Sequence, residues 1–474
     1  MKRNRMAKRR IACALLLIAI HMVPMSAQKA AQKPGTEERW IPTWTTAQQL
    51  VRVIPQGQVP PTTAPAPATT TTTATQPPVQ PAIVLPTGSA APSSTPAVTT
   101  TAAAPLPLLQ TLNNQTIRMI LRTSIGGKRV RVRLSNAFNS MPVEVGSAHI
   151  ALRATGSGII ATSDRALTFG GRSSFKLMPG VVVISDPVDL AVAPLTDLAV
   201  TMYLPGETGP PTTHATGLRP TYVSGQGDFT TTTEIPDATV RMSYYWLAGV
   251  DVDAPANTSL IVAFGDSITD GARSTPDTHN TWPAILATRL AADKATAQLA
   301  VVNQGIGGNR VLSDAANFAG VSALARLDRD VLSQPGVKWL MLLEGINDIG
   351  NGTAPNSQYP VTSEQLIWGL QQIVNRARMH GIKVIGCTLT PYEGAGYFRE
   401  TGETIRQTVN TWIRTSGAFD AVADFDAATR DPANPRRLRP EFDPGDHLHP
   451  NDAGYRAMAE AVDLRIFNSK ARRK

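Results

Sequence analysis

The sequence predicts two regions of different fold class, a β-rich region over residues 107–250 and an α/β region over residues 258–468. In the first region apolar and polar residues alternate, as they do in strands with one buried face. In the second region unbroken apolar runs such as 260–264 alternate with segments of helical periodicity. Strands that alternate with helices imply a parallel sheet with helices on both faces, so we expect a three-layer α/β domain.

The β-rich region shows several strand patterns separated by turn residues. Residues 117–121 and 130–134 both alternate, and Gly126-Gly127 between them predicts a hairpin. Further strands are predicted over residues 181–184, 198–204 and 240–247. A β-sandwich-like accessory domain fits this pattern best. We expect residues 28–55, which contain Trp40-Ile41-Pro42-Thr43-Trp44, to join this domain.

The α/β region carries helix signals between its apolar runs. The predicted strands are residues 260–264, 300–303, 339–343, 382–389 and 421–425. Thr362 and Gln365 form a capping box ahead of one helix, and Asn451 is placed to cap the last helix.

Residues 1–27 have the pattern of an export signal. Six cations lie between Lys2 and Arg10, an apolar run covers residues 11–20, and small residues end at Ala27. An uncleaved membrane anchor is the alternative, although the apolar run is short for a bilayer span. We therefore expect a secreted or periplasmic protein that meets a membrane only during export.

Residues 56–106 consist mainly of Pro, Thr and Ala and contain runs such as Thr69 to Thr73. Such a segment cannot bury enough apolar surface to offset the entropy of ordering, so we predict a disordered insertion. The net charge of +9 comes from the two ends, with six cations in residues 2–10 and four in the last five residues. The basic tail, residues 469–474, and the signal leave a body near neutrality, so no nucleic-acid partner is expected.

Two cysteines are present, and neither indicates a disulfide framework. Cys13 lies in the predicted signal, and Cys387 lies in the apolar run 384–389, where a buried and inert thiol is expected.

Four polar clusters follow predicted strands or precede the last helix, where the reactive groups of an open parallel sheet collect. They are Gly265-Asp266-Ser267-Ile268, the segment from Asn303 to Asn309, Gly345-Ile346-Asn347-Asp348, and Asp446-His447-Leu448-His449. Taken singly, the first three are also explained by a helix-capping serine, a glycine turn and an Asn-Asp turn.

As a set, the clusters supply a nucleophile and its activating groups. A serine hydroxyl such as that of Ser267 is a weak nucleophile until an imidazole removes its proton. His449 can do so, and Asp446 three residues earlier can orient the imidazole. Asn347 can donate to an oxyanion. The rival interpretation is a metal site formed by Asp446, His447 and His449, but no further His or Cys cluster completes it.

In this order the four clusters resemble the conserved blocks of the SGNH hydrolases, also called GDSL esterases and lipases, over about residues 258–468. The resemblance implies a flavodoxin-like fold, with Ser267, Asp446 and His449 as the catalytic residues. It implies an oxyanion hole formed by Ser267, Gly308 and Asn347. Ile268 and the segment Gly307-Gly308-Asn309 depart from the commonest family pattern, and neither change removes a catalytic atom.

The sequence also resembles a secreted branch of this family at four places, which are Trp40 to Trp44, Gly126-Gly127, Arg133 to Asn136 and Leu343 to Gly350. That branch carries a β-domain ahead of the hydrolase domain and is grouped with arylesterases and acylhydrolases of polysaccharide-degrading bacteria.

The resemblance implies a secreted serine esterase that cleaves carboxylic esters through an acyl-enzyme on Ser267. The expected substrates are small-molecule or polysaccharide esters, with short-chain acyl, aryl or acetylated carbohydrate groups, and neither a cofactor nor a metal is expected. Two alternatives remain open at this point. One is a non-catalytic carbohydrate-binding surface protein, and the other is a thioesterase or a lipase that acts on lipid esters.

Overall fold

A five-stranded parallel sheet forms the centre of the C-terminal region. The computed structural model describes residues 38–49, 111–314 and 319–467. The strands of the parallel sheet are β16 (Ser259–Gly265), β17 (Leu299–Gly305), β18 (Val337–Leu343), β19 (Lys383–Cys387) and β20 (Ala421–Ala423). They lie in the order β17-β16-β18-β19-β20. All seven residues of β16 are buried, which explains its unbroken apolar sequence.

The register of this sheet brings three predicted site segments to one edge. Gly265, the last residue of β16, lies opposite Gly305 of β17 on one side and Leu343 of β18 on the other. Ser267, Gly308 and Asn347 each follow one of these strand ends by two to four residues. The carboxyl edge of the sheet therefore gathers residues that are distant in sequence.

Helices connect the parallel strands and agree with the helix signals. They are α1 (Ser267–Asp270), α2 (Trp282–Ala292), α3 (Ala323–Leu327), α4 (Ile346–Gly352), α5 (Ser363–Met379), α6 (Glu400–Thr415), α7 (Phe425–Thr429) and α8 (Asp452–Glu460). A π-helical turn, Asp328–Leu332, and three 3₁₀ turns, Ala161–Ser163, Pro440–Phe442 and Leu464–Phe467, complete the helical elements. Thr362 and Gln365 form the predicted capping box, and the Asn451 side chain caps α8.

The N-terminal region is antiparallel. Its strands are β1 (Trp40–Thr45), β2 (Gln115–Arg122), β3 (Gly127–Ser135), β4 (Val143–Val145), β5 (Ser147–Leu152), β6 (Arg165–Ala166), β7 (Phe175–Leu177), β8 (Val182–Ile184), β9 (Val188–Val192), β10 (Asp197–Leu204), β11 (Thr213–His214), β12 (Thr221–Gln226), β13 (Thr239–Arg241), β14 (Tyr244–Tyr245) and β15 (Leu247–Asp253). One sheet has the order β1-β15-β3-β8, with β9 also on β3, and another has the order β13-β12-β2-β10-β5-β6. Parallel and antiparallel regions are thus confirmed, while the three-layer and sandwich-like packing stay predictions.

The predicted hairpin at Gly126-Gly127 is wrong. Strand β2 pairs with β10 and β12, whereas β3 pairs with β15, β8 and β9, so the two strands belong to different sheets. The glycines serve close packing instead of a two-residue turn. A Cβ at Gly126 would lie 2.5 Å from the Val192 carbonyl oxygen, and one at Gly127 would lie 2.7 Å from that of Asp253. The dipeptide pattern alone does not distinguish these two uses of glycine.

The antiparallel region covers the edge of the parallel sheet. Strand β1 lies against β17, an edge strand, and Gln304 of β17 donates a 2.7 Å hydrogen bond to Thr45 of β1. The Val301 N–H donates to the Ser124 hydroxyl at 3.2 Å. One buried apolar cluster runs through both regions, and the chain from Arg39 onward forms one compact unit. The Ser124 hydroxyl thus supplies an acceptor for a backbone N–H of the edge strand, and β1 covers that edge.

Three predicted segments lie outside the described residues: the export signal (1–27), the insertion (56–106) and the basic tail (469–474). Within the described ranges, none of the helices combines the length and the apolar composition that a bilayer crossing needs.

Candidate active site

Ser267 is the first helical residue after β16. Asp266 is the N-cap of α1, and its carboxylate accepts a 2.9 Å hydrogen bond from the Ile268 N–H. Capping is therefore done by Asp266, which leaves the Ser267 hydroxyl for other partners. A Cβ at Gly265 would collide with the Thr269 side chain and the Leu343 carbonyl, so only glycine permits the sharp strand-to-helix turn.

A hydrogen-bonded chain joins Ser267, His449 and Asp446. The Ser267 Oγ lies 2.8 Å from His449 Nε2, and His449 Nδ1 lies 2.9 Å from Asp446 Oδ2. The other Asp446 oxygen accepts from the backbone N–H groups of Leu448 and His449 at 3.1 and 3.0 Å. The backbone of the loop thus holds the Asp446 carboxylate through one oxygen, while the other oxygen contacts the imidazole.

Arg273 reaches the same carboxylate. Its Nε donates to Asp446 Oδ2 at 2.7 Å, while its side chain stays 59% exposed. Partial burial alone would raise the pKa of Asp446, but hydrogen bonds from His449 and Arg273 hold that pKa well below its usual range. Asp446 is therefore charged at neutral pH and well below it.

The Asn347 side chain is held by two neighbours. Its Nδ2 donates to the Asn309 carbonyl at 3.1 Å, and the Tyr397 hydroxyl donates to its Oδ1 at 3.4 Å. An amide nitrogen has two hydrogens, so the second N–H of Asn347 is left for another acceptor. Both contacts favour the orientation in which Nδ2 is the donor.

The loop that carries Gly308 is held in position by hydrogen bonds of the next residue, Asn309. Gly308 has a φ of +75°, a conformation that favours glycine. The next residue, Asn309, is fully buried, and its amide donates to the carbonyls of Ala319 and Val321 at 2.8 Å. Its Oδ1 accepts from Arg326 Nε at 2.8 Å.

Arg326 ties the ends of two strands together beneath the site. Its guanidinium donates to the Gly265 carbonyl at 2.9 Å and to the Gln304 carbonyl at 2.8 Å. It also pairs with Glu344 at 3.2 Å and Asp330 at 3.0 Å, with its own side chain fully buried. The same cation therefore sets the spacing of the segments that carry Ser267 and Gly308.

Buried acids surround this cation. Burial raises the pKa of Asp266 to about 7 and that of Asp348 to about 6. Burial, together with the nearby Asp266 charge, also raises the pKa of Glu344. Asp348 accepts from the N–H groups of Val311 and Leu312 at 2.8 and 3.0 Å, so it organises the loop after β17.

His447 does not join the Ser267 chain of hydrogen bonds. Its Nδ1 lies 2.5 Å from Asp443 Oδ2, and its side chain is 48% exposed. Among the described residues, no group of three or more His, Cys, Asp or Glu side chains is placed to hold a metal ion.

The structure joins three predicted residues, Ser267, His449 and Asp446, by direct hydrogen bonds. It places Asn347 against Asn309, the residue after Gly308, and adds contacts that the sequence did not indicate. Arg273, Tyr397 and Arg326 were missed because no local pattern distinguishes them from other Arg and Tyr residues. Their contacts to the site join segments far apart in sequence.

A parallel sheet in this strand order, with polar side chains gathered at its carboxyl edge, defines an α/β domain whose candidate site lies at that edge. Residues 261–462 match the family model described as GDSL-like Lipase/Acylhydrolase. The resemblance of this region to the GDSL hydrolases, found in the sequence, is thereby confirmed. A search of curated proteins returned no match.

Several solved structures are similar to this domain. An acetylxylan esterase from Geobacillus stearothermophilus is 23% identical, with 44% of this chain and 93% of that chain covered and a TM-score of 0.34. A carbohydrate acetylesterase family member from Sinorhizobium meliloti is 16% identical, with 44% and 97% covered and a TM-score of 0.36. A GDSL-like lipase from Bacteroides thetaiotaomicron is 17% identical, with 44% and 88% covered and a TM-score of 0.33.

Proposed function

We propose that this protein is a serine esterase that hydrolyses carboxylic esters through an acyl-enzyme on Ser267. One observation carries the proposal, the continuous hydrogen-bonded chain from Ser267 Oγ through His449 to Asp446, with steps of 2.8 and 2.9 Å. A hydroxyl, an imidazole and a carboxylate in this order are the groups that activate a serine nucleophile.

In the proposed reaction His449 accepts the Ser267 proton while the oxygen attacks the ester carbonyl. Asp446 stabilises the imidazolium that forms. The tetrahedral intermediate then collapses as His449 gives its proton to the leaving alcohol, which leaves an acyl group on Ser267. Water, deprotonated by the same imidazole, releases the acid and restores the serine.

The negative oxygen of the intermediate needs donors that are already in position. We assign the backbone N–H groups of Ser267 and Gly308 and the free N–H of Asn347 to this task. The rigid support of Asn309 and Asn347 favours this assignment, because donors that need no rearrangement stabilise the transition state most.

Replacement of Ser267 by Ala tests the proposal. We expect the wild-type protein to hydrolyse 4-nitrophenyl acetate and to react covalently with a fluorophosphonate probe. The Ser267→Ala variant should lose both properties while it keeps the wild-type circular dichroism spectrum and thermal midpoint.

Ser416→Ala is the matched control, since Ser416 is exposed at the end of α6. This variant should retain turnover and labelling. Turnover in Ser267→Ala equal to that of the wild type would exclude the acyl-enzyme mechanism.

Export is part of the proposal, supported by the cationic, apolar and small-residue pattern of residues 1–27. N-terminal sequencing of the protein recovered outside the cytoplasm should begin near Gln28. Recovery only in the cell lysate, with Met1 intact, would contradict export.

A further inference from the structure

A groove lies beside the loop after β17 and the start of α4, the two segments that carry Gly308 and Asn347. Its cavity volume is about 420 Å³, within the range of small-ligand sites. Its lining includes Arg310, Asp348, Gln358, Tyr359, Gln365 and Trp368. None of these residues takes part in the proposed acyl transfer.

The groove adjoins the site through covalent neighbours. Arg310 follows Asn309, whose carbonyl accepts the hydrogen bond from Asn347, and Asp348 follows Asn347 itself. Consecutive Cα atoms lie about 3.8 Å apart, so the groove begins one residue away from the proposed oxyanion donors.

Two aromatic rings at the groove are unusually exposed. The Trp368 side chain lies on α5 and the residue is 58% exposed, while Tyr359 is 56% exposed. Among the residues that the structure describes, neither ring stacks on another aromatic ring. Both residues line the same groove, so their rings are accessible to a ligand that enters it.

The other lining residues are partly apolar, as at Leu312 and Val361, and partly polar. Gln358 and Gln365 present side-chain amides, and Gln365 lies three residues before Trp368 on the same helical face. The buried Nε of Arg310 has no hydrogen-bond partner within the described ranges. A hydroxyl-bearing ligand would supply acceptors for such donors, whereas an acyl chain would leave them unpaired.

Two glycines, which lack a Cβ, allow the walls of the groove to pack closely. A Cβ at Gly369 of α5 would lie 2.6 Å from Leu312, and one at Gly352 of α4 would lie 2.6 Å from Val361. The groove is therefore built into the packing of α4, α5 and the loop after β17, which favours a preformed site.

We propose that this groove binds the glycosyl part of a carbohydrate ester, with Trp368 and Tyr359 as stacking surfaces and Gln358, Gln365 and Arg310 as hydrogen-bonding groups. A pyranose ring has an apolar C–H face and a polar rim, which matches aromatic faces beside amides and a guanidinium. The inference rests on the proposed esterase function and names the alcohol part of its substrate.

Kinetics on two substrates test the groove. The substrates are a mixture of acetylated xylo-, gluco- and manno-oligosaccharides and, as the small ester, 4-nitrophenyl acetate. For Trp368→Ala we expect kcat/KM on the oligosaccharides to fall about tenfold, mainly through KM, the scale of one truncated aromatic contact. On 4-nitrophenyl acetate, kcat/KM of this variant should stay within about twofold of the wild-type value. Tyr359→Ala should act in the same direction, and Trp368→Phe should recover most of the loss.

Met379→Ala is the matched control. Met379 ends the same helix, is 84% exposed and lies eleven residues from Trp368, about 16 Å along the axis. This variant should have the wild-type kcat/KM on both substrates. An equal loss on both substrates in Trp368→Ala, or no loss on either, would overturn the glycosyl site. 2-Naphthyl acetate serves as a third substrate. A loss confined to this ester would also overturn the glycosyl site, because the groove would then bind an aryl ring.

Calorimetric titration separates failure of this inference from failure of the esterase proposal. Acetylated oligosaccharides should bind Ser267→Ala, and about tenfold more weakly when Trp368→Ala is added. Binding without hydrolysis by the wild type would contradict the esterase proposal and support the groove. Hydrolysis of 4-nitrophenyl acetate without oligosaccharide binding would support the esterase proposal and contradict the groove.

Discussion

Arg273 Nε donates to Asp446 Oδ2 at 2.7 Å, on the same oxygen that pairs with His449 Nδ1 at 2.9 Å. Arg273 and Asp446 are 173 residues apart in sequence. The carboxylate that orients the imidazole thus shares its charge with a guanidinium at the protein surface. A cation at this place weakens the stabilisation that Asp446 offers to a protonated His449.

Removal of this cation should shift the pH–rate profile. In Arg273→Gln the full Asp446 charge becomes available to the imidazolium of His449, so the acid limb of kcat/KM should move to higher pH. Since Arg273 is more than half exposed, solvent screens the effect, and we expect the displacement of the acid limb to be small. The measurement is kcat/KM for 4-nitrophenyl acetate between pH 4 and 9.

Arg273→Lys should keep the wild-type limb because it keeps the charge. Arg465→Gln is the control, since Arg465 is an exposed arginine that pairs with Asp463. An acid limb that stays in place or moves to lower pH in Arg273→Gln would contradict the proposed coupling.

Asn347→Ala should lower kcat about a hundred- to a thousandfold, the scale for loss of one oxyanion donor. KM should change little, because the donor acts on charge that develops only in the transition state. Steady-state kinetics on a short-chain ester measure both constants. Asn375→Ala, on the exposed face of α5, should be neutral. A fall in kcat of less than about threefold for Asn347→Ala would remove Asn347 from this role.

Tyr397→Phe should lower kcat about threefold to tenfold with KM unchanged, since one neutral hydrogen bond contributes about 1 kcal/mol. The hydroxyl holds the Asn347 amide at 3.4 Å and keeps its Nδ2 turned toward the site. Tyr203→Phe is the control, because that hydroxyl bonds to Asn114 in the antiparallel region. If Tyr397→Phe raises KM and leaves kcat unchanged, Tyr397 does not position the amide.

A buried ion pair links the antiparallel region to the helix that begins at Ser267. His214 Nε2 lies 2.9 Å from Asp270 Oδ1, and His214 Nδ1 lies 2.7 Å from the Ala47 carbonyl. Both neighbours are acceptors, so the imidazole donates from both nitrogens. Burial alone would lower the pKa of His214, but the Asp270 charge and the hydrogen bonds raise it above its ordinary value.

His214→Gln should destabilise the protein by roughly 3–5 kcal/mol at pH 6, because Asp270 then stays buried without its partner. A raised pKa means that the stabilisation is complete below the unfolded pKa of about 6.5 and is lost as the pH rises through the folded value. The difference between wild type and variant in urea unfolding should therefore narrow at higher pH.

The double variant His214→Gln/Asp270→Asn serves as the control, since it removes the unpaired charge and should recover part of the lost stability. A difference that widens with increasing pH would show that His214 is neutral in the folded protein.

Local patterns in the sequence predicted the secondary structure of the parallel sheet well. The run 260–264 became β16, and the Thr362–Gln365 capping box begins α5. These features depend on residues within a few positions of one another. The pairing of β2 and β3 was predicted wrongly, because glycines that permit close packing resemble glycines that form turns.

The sequence by itself determined the resemblance to the GDSL hydrolases, the parallel α/β region and the segments that carry Ser267, Asn347 and His449. Short motifs and apolar periods encode these features. Only the tertiary structure decided that Arg273 contacts Asp446 and that His214 pairs with Asp270. Such contacts join residues more than fifty positions apart. Their partners are selected by the packing of strands and loops, which no local pattern records.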